Sequence, residues 1–266
     1  NSTGVISPVS FAGKVAPLKD CRALADKYDY MLVEDASHSP LAWTKVEEEI
    51  IKSCSCVWTD YATLSFHPVK HICCGEGGAV LCGTKEMAVR PRRLASHGIN
   101  KNLNAKSDQP WKYEQVELGW NFRLTDIQAA LGISQVQRLV SGITKRRKLA
   151  NYYCEKLGDG KFSDFFELPH RSDGDVWHLF VIRFKKNTWR DLAYHRLRAV
   201  GIMTQVHYIP VYHHPYYQQG NTVSDLPGAE KFYSGCLSIP LFPEMKRTEQ
   251  QKVINALDNL VEELRN

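Results

Sequence analysis

The sequence has no long apolar run, no dense patch of one charge and no internal repeat. None of its apolar stretches approaches the roughly 18 residues that a membrane-spanning helix needs. Lysine and arginine outnumber aspartate and glutamate by only 34 to 29, which is too dilute for a dedicated nucleic-acid binder. The first residues also lack the basic, apolar and small-residue segments of a signal peptide. These absences predict a soluble, cytoplasmic protein with neither a nucleic-acid nor a membrane partner.

The eight cysteines are not spaced like those of a zinc site or a disulfide scaffold. They include no C-x-x-C pair, and the closest neighbours are Cys54-x-Cys56 and Cys73-Cys74. Zinc ligands normally come in two pairs, each separated by about two to four residues. Secreted disulfide scaffolds are shorter and richer in cysteine. We therefore expect no metal site, and thiols that are reduced and mostly buried.

The sequence does have the composition of a globular protein, with 43% hydrophobic and 24% charged residues in a chain of 266. Its first part alternates predicted strands and helices. A continuous apolar run such as Tyr30–Val33 is typical of a strand covered on both faces, as in a mainly parallel sheet. The pattern predicts an α/β fold. The predicted elements are strands at Val5–Phe11, Tyr30–Val33, Cys56–Phe66 and Ala79–Cys82 and a helix at Leu18–Tyr28.

A long helix is predicted to begin near Thr125, because Thr125 and Gln128 have the spacing of a capping box. The basic run Lys145–Lys148 lies on its continuation and is expected to form a solvated face. We expect two domains, an α/β domain at residues 1–144 and a small α+β domain at residues 145–266. The elements predicted in the second domain are strands at Val176–Phe184 and Ile202–Ile209 and helices at Trp189–Val200 and Thr248–Leu264.

Two residues after predicted strands suggest a site for chemistry. Asp35 follows Tyr30–Val33 at the carboxyl edge of the sheet, where open parallel sheets bind ligands, although a helix N-cap is an equal alternative. Lys70 follows the strand Cys56–Phe66 and stands in irregular backbone after Pro68. Pyridoxal phosphate needs a neutral amine, an acid at its pyridine nitrogen and donors for its phosphate. Spacing alone leaves a surface lysine as the default interpretation.

Several motifs that follow one another in a fixed order make the prediction of function more specific. Together the motifs closely resemble the nucleotide-sugar aminotransferases of the DegT/DnrJ/EryC1/StrS family, which are fold-type I pyridoxal-phosphate enzymes. A later segment is most similar to the branch of that family that makes the 4-amino sugar precursor of pseudaminic acid. The resemblance covers essentially the whole chain. The motifs are Glu34–His38, Ser65–Lys70, Gly75–Val80 and Gly119–Gly132, and the later segment is Gln205–Tyr212 with Tyr216–Gln219.

The resemblance implies a role for each of five residues at the cofactor. Lys70 would form the Schiff base with pyridoxal 5′-phosphate and shuttle the proton, and Asp35 would pair with the pyridine nitrogen. His38 would lie beside the cofactor ring, and Ser65 would bind the phosphate. Asn121 would bind the phosphate in the neighbouring subunit's site, which implies a homodimer with shared active sites.

The resemblance also implies substrate contacts for Arg123, His178, His207 and Tyr208. For Arg123 a structural ion pair is an equal alternative, and for the other three an ordinary packed or surface position is. Tyr212 stands where many relatives have histidine, and this departure puts the proton handling on that side of the site in question.

The implied function is a pyridoxal-phosphate-dependent aminotransferase. It would convert a UDP-linked 4-keto-6-deoxy sugar to the 4-amino sugar, with glutamate as the amino donor. Relatives carry a further N-terminal stretch, including a turn that binds the cofactor phosphate, so we expect a truncated large domain that binds the cofactor more weakly. Two alternatives remain open: an inactive chain that still dimerises, and a sugar dehydratase of the same fold. Lys70 argues against the dehydratase, because those relatives have histidine there.

Overall fold

The structure is a computed structural model that describes residues 4–100, 109, 111–218 and 226–265. The chain divides into two compact units, Asn1–Val140 and Ser141–Asn266. A long helix begins in the first unit and ends in the second. The division predicted after residue 144, and the roles attached to the two domains, stay predictions.

A four-stranded mixed sheet lies at the centre of the first unit. The elements of this unit are β1 (Val5–Ile6), α1 (Leu18–Tyr28), β2 (Met31–Asp35), β3 (Trp43–Val46), β4 (Glu49–Lys52), β5 (Tyr61–Ser65), β6 (Gly78–Cys82), α2 (Val89–Leu94), β7 (Ile99–Asn100), β8 (Glu114–Gln115) and the start of α3 (Asp126–Leu157). The sheet has the order β1-β2-β5-β6 and is parallel from β1 to β5, with β6 antiparallel to β5. This arrangement confirms the α/β class and the mainly parallel sheet.

Helix α1 has the predicted bounds because its signals are local. Leu18 and Ala25 recur on one face at helical spacing, and both are buried. At the carboxyl end Asp29 adopts a left-handed conformation with φ 54°, and its N–H donates to the carbonyl oxygens of Ala25 and Asp26. The chain can therefore turn at once into β2.

Two strands of the first unit are shorter than the apolar pattern predicted. The segment Val5–Phe11 is a strand only at Val5–Ile6. The segment Cys56–Phe66 is a strand only at Tyr61–Ser65. Cys56 has φ 52° and cannot continue an extended strand, which explains the later start of β5. Hydropathy alone does not report such a turn.

The second unit is a three-stranded antiparallel sheet with helices. Its elements after α3 are α4 (Gly160–Ser163), β9 (Phe166–Glu167), β10 (Phe180–Phe184), α5 (Asn187–Ala199), α6 (Pro215–Gln218), α7 (Pro227–Gly235), β11 (Cys236–Ile239) and α8 (Arg247–Arg265). The sheet has the order β11-β10-β9. The helices predicted at Trp189–Val200 and Thr248–Leu264 are confirmed as α5 and α8.

The core of the second unit is built from aromatic and aliphatic side chains of its sheet and helices. Phe180, the first residue of β10, is fully buried. Its ring lies 5.0 Å from the ring of Tyr153 on α3 and 5.5 Å from the ring of Trp177. Leu257 and Val261 of α8 are also fully buried in this cluster. The apolar stripe of α8 is thereby accounted for.

Two predicted strands of the second unit need correction. The segment Val176–Phe184 becomes a strand only at Phe180, because Trp177 has φ 52° and turns the chain before it. The segment Ile202–Ile209 is not a strand. Only Gln205 within it forms a bridge, with Ser238 of β11.

The prediction of a solvated face at Lys145–Lys148 is wrong for Arg146. This side chain is 6% exposed, and its Nη1 donates to the carbonyl oxygens of Trp177, His178 and Leu241 at 3.2, 3.0 and 2.9 Å. Helical spacing places Arg146 on the same buried face as the core residues that precede and follow it on α3. Burial lowers the pKa of Arg146 to about 10.

All eight cysteines are free, and only Cys74 and Cys236 are buried, so the prediction of mostly buried thiols is wrong for the other six. Across the described ranges, no group of histidine, cysteine, aspartate and glutamate has an arrangement that could hold a metal ion. No helix within these same ranges combines the length and the apolarity needed to cross a bilayer.

Candidate active site

The two acids at the carboxyl end of β2 have different environments. Glu34 is fully buried, and its carboxylate accepts hydrogen bonds from Ser10 Oγ at 2.5 Å, Ser53 Oγ at 2.7 Å and the Cys54 N–H at 3.0 Å. A buried carboxylate is tolerated when several donors replace its hydration. Glu34 therefore fastens two loops to the end of β2 and fixes the position of its neighbour, Asp35.

The pKa of the Cys54 thiol shows that this region is partly closed to solvent. Burial, with the charge of Glu34 contributing in the same direction, raises the pKa of Cys54 to about 11. The thiol is accordingly protonated and unreactive at neutral pH.

Asp35 is only half-buried and occupies the last position of β2. Its backbone N–H donates to the carbonyl oxygen of Pro8, and its carbonyl oxygen accepts from the N–H of Ser10. One carboxylate oxygen accepts from the Ser37 N–H at 3.0 Å. Within the described residues, the other carboxylate oxygen has no hydrogen-bond partner. Asp35 is thus held by its backbone and by one amide, and keeps acceptor capacity for a ligand.

Lys70 lies in the loop that joins β5 to β6. The loop is closed at its base, where the Phe66 N–H donates to Gly77 O at 2.8 Å and the Cys74 N–H donates to Phe66 O at 3.0 Å. A turn within the loop brings the Lys70 N–H to the carbonyl oxygen of His67 at 2.9 Å. The lysine is therefore on ordered backbone.

The amine of Lys70 and the carboxylate of Asp35 interact electrostatically. Partial burial lowers the pKa of Lys70, and the negative charge of Asp35 raises it and offsets part of this shift. The interaction follows from the sheet, because β2 and β5 are parallel neighbours and Asp35 pairs with Thr63, two residues before the end of β5. A half-buried amine with a lowered pKa, within electrostatic range of a carboxylate, is suited to imine chemistry.

Ser65 and His38 lie at the same edge of the sheet. Ser65 is the last residue of β5, and its Oγ accepts from the His67 N–H at 3.4 Å. His38 follows β2 and is 5% exposed. Its Nδ1 accepts from the Ala12 N–H at 3.4 Å, and its ring lies 5.7 Å from that of Phe11. The structure thus gathers Asp35, His38, Ser65 and Lys70 at the carboxyl ends of two neighbouring strands.

Asn121 and Arg123 precede α3 and are both exposed. Asn121 forms a bridge with Ser96 that holds this segment against the chain after α2. At the start of α3 the predicted capping box is confirmed, because the Gln128 N–H donates to Thr125 Oγ1 at 3.3 Å and the Thr125 N–H donates to Gln128 Oε1 at 3.1 Å. The roles predicted for Asn121 and Arg123 stay predictions.

The other three predicted residues lie in the second unit. His178 is buried, in the turn whose carbonyl oxygens bind Arg146. His207 Nδ1 lies 2.7 Å from Ser238 Oγ on β11, and its ring is 4.7 Å from the ring of Tyr208. The side chain of Tyr208 is 56% exposed. Their contact with the residues of the first unit stays a prediction.

A cavity of about 920 Å³ opens on one face of the first unit's sheet. Its wall includes Thr63 of β5, Glu76, Arg123 and Gln128, whereas Asp35, Ser65 and Lys70 are outside the described wall. The cavity therefore adjoins the predicted cofactor site along β5, where Thr63 and Leu64 of its wall directly precede Ser65.

Reasoning from sequence missed three residues of this region. Glu34 stands beside Asp35 in the motif, but no sequence pattern indicates that three donors surround its carboxylate. Thr63 lies at the alternate position before Ser65, and that period-two spacing was a usable signal. Gln128 was read only as a helix cap, although its Nε2 also donates to the carbonyl oxygen of Glu76 at 2.9 Å.

Comparison with known proteins defines the class as aminotransferases. Residues 1–258 match the DegT/DnrJ/EryC1/StrS aminotransferase family, and the chain belongs to this family. This confirms the resemblance read from the ordered motifs.

Two relatives and one further structure illustrate the similarity. The UDP-4-amino-4,6-dideoxy-N-acetyl-beta-L-altrosamine transaminase of Campylobacter jejuni is 32% identical over 264 residues, which cover 98% of this chain and 67% of that protein. Helicobacter pylori PseC, an aminotransferase of pseudoaminic acid biosynthesis, superposes with a TM-score of 0.85 at 28% identity, over 98% of this chain and 67% of that one. NtdA of Bacillus subtilis, with bound cofactor PMP, gives 0.82 at 27% identity, over 98% of this chain and 57% of that one.

Proposed function

We propose that this chain is a pyridoxal-phosphate-dependent aminotransferase that converts a UDP-linked 4-keto-6-deoxy sugar to the 4-amino sugar, with glutamate as the donor. The observation that carries the proposal is the half-buried amine of Lys70, which lies within electrostatic range of the carboxylate of Asp35 and, like it, follows one of two parallel strands. Family membership supports the reaction class. The names of the Campylobacter and Helicobacter relatives support the sugar.

The residues at this edge of the sheet fit pyridoxal phosphate. The cofactor requires an amine that loses its proton readily, and burial lowers the pKa of Lys70. It also requires an acid at its ring nitrogen, and the carboxylate of Asp35 has an oxygen without a partner among the described residues. The NtdA structure, with its bound PMP, supports this cofactor for the family. When bound, pyridoxal phosphate supplies an aldehyde that takes up the amino group and a ring that accepts electrons from the carbon being deprotonated.

Lys70 acts as the base and acid of the reaction. Its neutral Nζ would take the proton from the α-carbon of glutamate. Water would supply the keto oxygen of the 2-oxoglutarate that leaves once the amino group has been passed to the cofactor. In the second half-reaction Nζ is the group that handles the proton at C4 of the sugar, where the ketone becomes an amine. A lowered pKa favours both steps near neutral pH, because the amine can then accept and release a proton with little cost.

Asp35 holds a proton on the ring nitrogen of the cofactor, and the Ser37 N–H orients the carboxylate for this. His38, buried beside Phe11, would form the wall against the ring. Ser65 would donate its hydroxyl to the phosphate. Arg123, His178, His207 and Tyr208 are proposed for the nucleotide sugar, with Arg123 the cationic group for its diphosphate.

We further propose that the chain works as a homodimer in which Asn121 reaches the phosphate in the partner's site. The exposed position of Asn121 allows such a contact. The first half of α3 presents exposed apolar side chains, including Ile127 at 84% exposure, and such a surface is typical of an interaction site. The eight free cysteines support a reducing compartment, the cytoplasm.

The proposal is tested by amino transfer. The purified chain, supplied with pyridoxal phosphate and glutamate, should convert a UDP-4-keto-6-deoxy-N-acetylhexosamine to the 4-amino product and release an equal amount of 2-oxoglutarate. Lys70→Ala should abolish both products, and Lys85→Ala, which changes an exposed lysine, should leave them unchanged. Loss of the keto sugar without 2-oxoglutarate would favour the dehydratase. Equal turnover by Lys70→Ala would refute the role of Lys70.

A further inference from the structure

We infer that Gln128 is a positioning residue, which ties the loop that carries Lys70 to the segment that carries Asn121 and Arg123. The inference rests on the proposed function, which places Lys70 in this chain's own cofactor site and Asn121 in the site of the partner subunit. All of the contacts that support it lie within the first unit.

The side-chain amide of Gln128 is used at both ends. Its oxygen accepts from the N–H of Thr125 at 3.1 Å and from the hydroxyl of Thr125 at 2.9 Å, which caps the start of α3. Its nitrogen donates to the carbonyl oxygen of Glu76 at 2.9 Å. A helix cap requires only the oxygen, so the bond from the nitrogen serves something beyond the helix.

Glu76 stands in the turn that closes the Lys70 loop. Immediately after it, the carbonyl oxygen of Gly77 accepts from the Phe66 N–H, and Cys74 is hydrogen-bonded to Phe66 in turn. The bond from Gln128 to Glu76 O therefore restrains the base of the loop from outside the loop itself. Rotation of this turn would move Lys70 relative to Asp35, whose position is fixed separately by β2.

A second contact joins the same two segments. A Cβ atom added at Gly77 would stand 2.8 Å from Leu124 Cδ1, so the turn and the residue before the cap are packed together closely. Leu124 directly follows Arg123 and lies three residues after Asn121. Gln128 and this contact together hold the Lys70 loop and the Asn121–Arg123 segment against each other, so that the two are expected to move together. A movement of the loop that carries Lys70 would then be coupled to a movement of the segment that, in the proposed homodimer, reaches the partner's site.

Three variants of the full chain separate the two ends of the amide. Gln128→Glu keeps an oxygen for Thr125 and removes the donor to Glu76. Thr125→Val removes the cap hydroxyl and keeps the donor. Gln128→Met, which is similar in length and uncharged, removes both. The readouts are amide hydrogen exchange at residues 66–77, thermal unfolding, and the rate at which pyridoxal phosphate, trapped with borohydride, modifies Lys70.

Gln128→Glu should speed amide exchange in residues 66–77 by about fivefold, which is the factor expected for one lost hydrogen bond. It should also slow the modification of Lys70 by pyridoxal phosphate. Its melting temperature should stay near that of the unaltered chain. Thr125→Val should lower the melting temperature without faster exchange in this loop. Gln128→Met should show both effects. Unchanged exchange in Gln128→Glu, or equal exchange in Gln128→Glu and Thr125→Val, would overturn the inference.

Failure of the proposed function would look different. If Lys70 of the unaltered chain is never modified by pyridoxal phosphate, the cofactor assignment fails, and the exchange data still decide whether Gln128 restrains the loop. If Lys70 is modified at the same rate in all variants although exchange is faster in Gln128→Glu, Gln128 is a purely structural residue and the positioning role is wrong.

Discussion

The two units of the chain bury their apolar residues to very different degrees. The second unit has one continuous core of sheet and helix side chains, from Ala150 to Val261. Most of the large apolar side chains that are exposed lie in the first unit, which also carries Lys70 and Asp35. The comparison indicates that the second unit is stabilised by its own core, whereas the first unit leaves much of its apolar surface uncovered.

Helix α3 shows the same contrast along its length. In its first half Ile127, Ile133 and Val136 are exposed, and in its second half Tyr153 and Leu157 are buried in the core. The sequence pattern is apolar in both halves. The exposed fraction of the side chains, rather than their hydrophobicity, therefore distinguishes the two halves of α3. The first half has apolar surface available for the proposed association, and the second half packs in a core.

The largest effect is expected in the core of the second unit. Phe180→Ala should lower the free energy of unfolding by about 3–5 kcal/mol, because it leaves a cavity beside the rings of Tyr153 and Trp177 in the core. Urea unfolding followed by circular dichroism measures this loss. Phe242→Ala, a more exposed change in the same unit, is the control and should cost far less. Similar losses in both variants would contradict a single dominant core.

The next effect is expected at Arg146, a buried cation of the second unit. Arg146→Met keeps the aliphatic volume but leaves three carbonyl oxygens without their donor, and should cost about 1–3 kcal/mol. Lys148→Met, at an exposed position on the same helix, should be nearly neutral. If Arg146→Met were as stable as the unaltered chain in chemical denaturation, the three hydrogen bonds would make no net contribution to the free energy of unfolding.

A smaller change in stability but a clear change in assembly is expected on α3. Replacing Ile127 and Ile133 by serine should alter the free energy of unfolding by only about 0.5 kcal/mol, because both side chains are exposed. The same change should weaken self-association in sedimentation velocity. Val200→Ser, which removes an exposed apolar side chain of the second unit, should leave association unchanged. Unaltered association in the α3 double variant would remove the proposed interface.

The smallest effect concerns the pKa of Lys70. The carboxylate of Asp35 raises this pKa, so Asp35→Asn should lower it further and leave more neutral amine at a given pH. The pH profile of Lys70 acetylation in the cofactor-free chain should therefore shift to lower pH. Asp164→Asn, an exposed change elsewhere, should not shift it. A shift to higher pH in Asp35→Asn would contradict the sign of the interaction.

Much of the fold could be predicted because its signals are local. The bounds of α1 and the capping box of α3 depend on residues within one or two helical turns, and both were predicted correctly. The strand lengths could not be predicted in the same way. Cys56 and Trp177 adopt positive φ under tertiary constraint, and apolar patterns do not record it. The burial of Arg146 depends on carbonyl oxygens from distant residues, one of them at Leu241.

The candidate site was predictable in part for a related reason. Asp35 and Lys70 follow strands that are parallel neighbours, so a correct sheet order brings their side chains to one edge. The second function of Gln128 was not predictable, because its partner Glu76 is far away in the sequence. Glu34 and Asp35 could be told apart only once the donors around Glu34 were known.

The proposed function requires that the amine of Lys70 forms a Schiff base with pyridoxal phosphate. The most direct measurement is to add the cofactor to the folded chain, reduce with borohydride and map the modified peptide by mass spectrometry. We predict a pyridoxyl group on Lys70 of the folded chain and little on exposed lysines such as Lys85. After unfolding in urea, Lys70 should carry none. A folded chain that takes up no cofactor, or one that is modified equally at its surface lysines, would contradict this prediction.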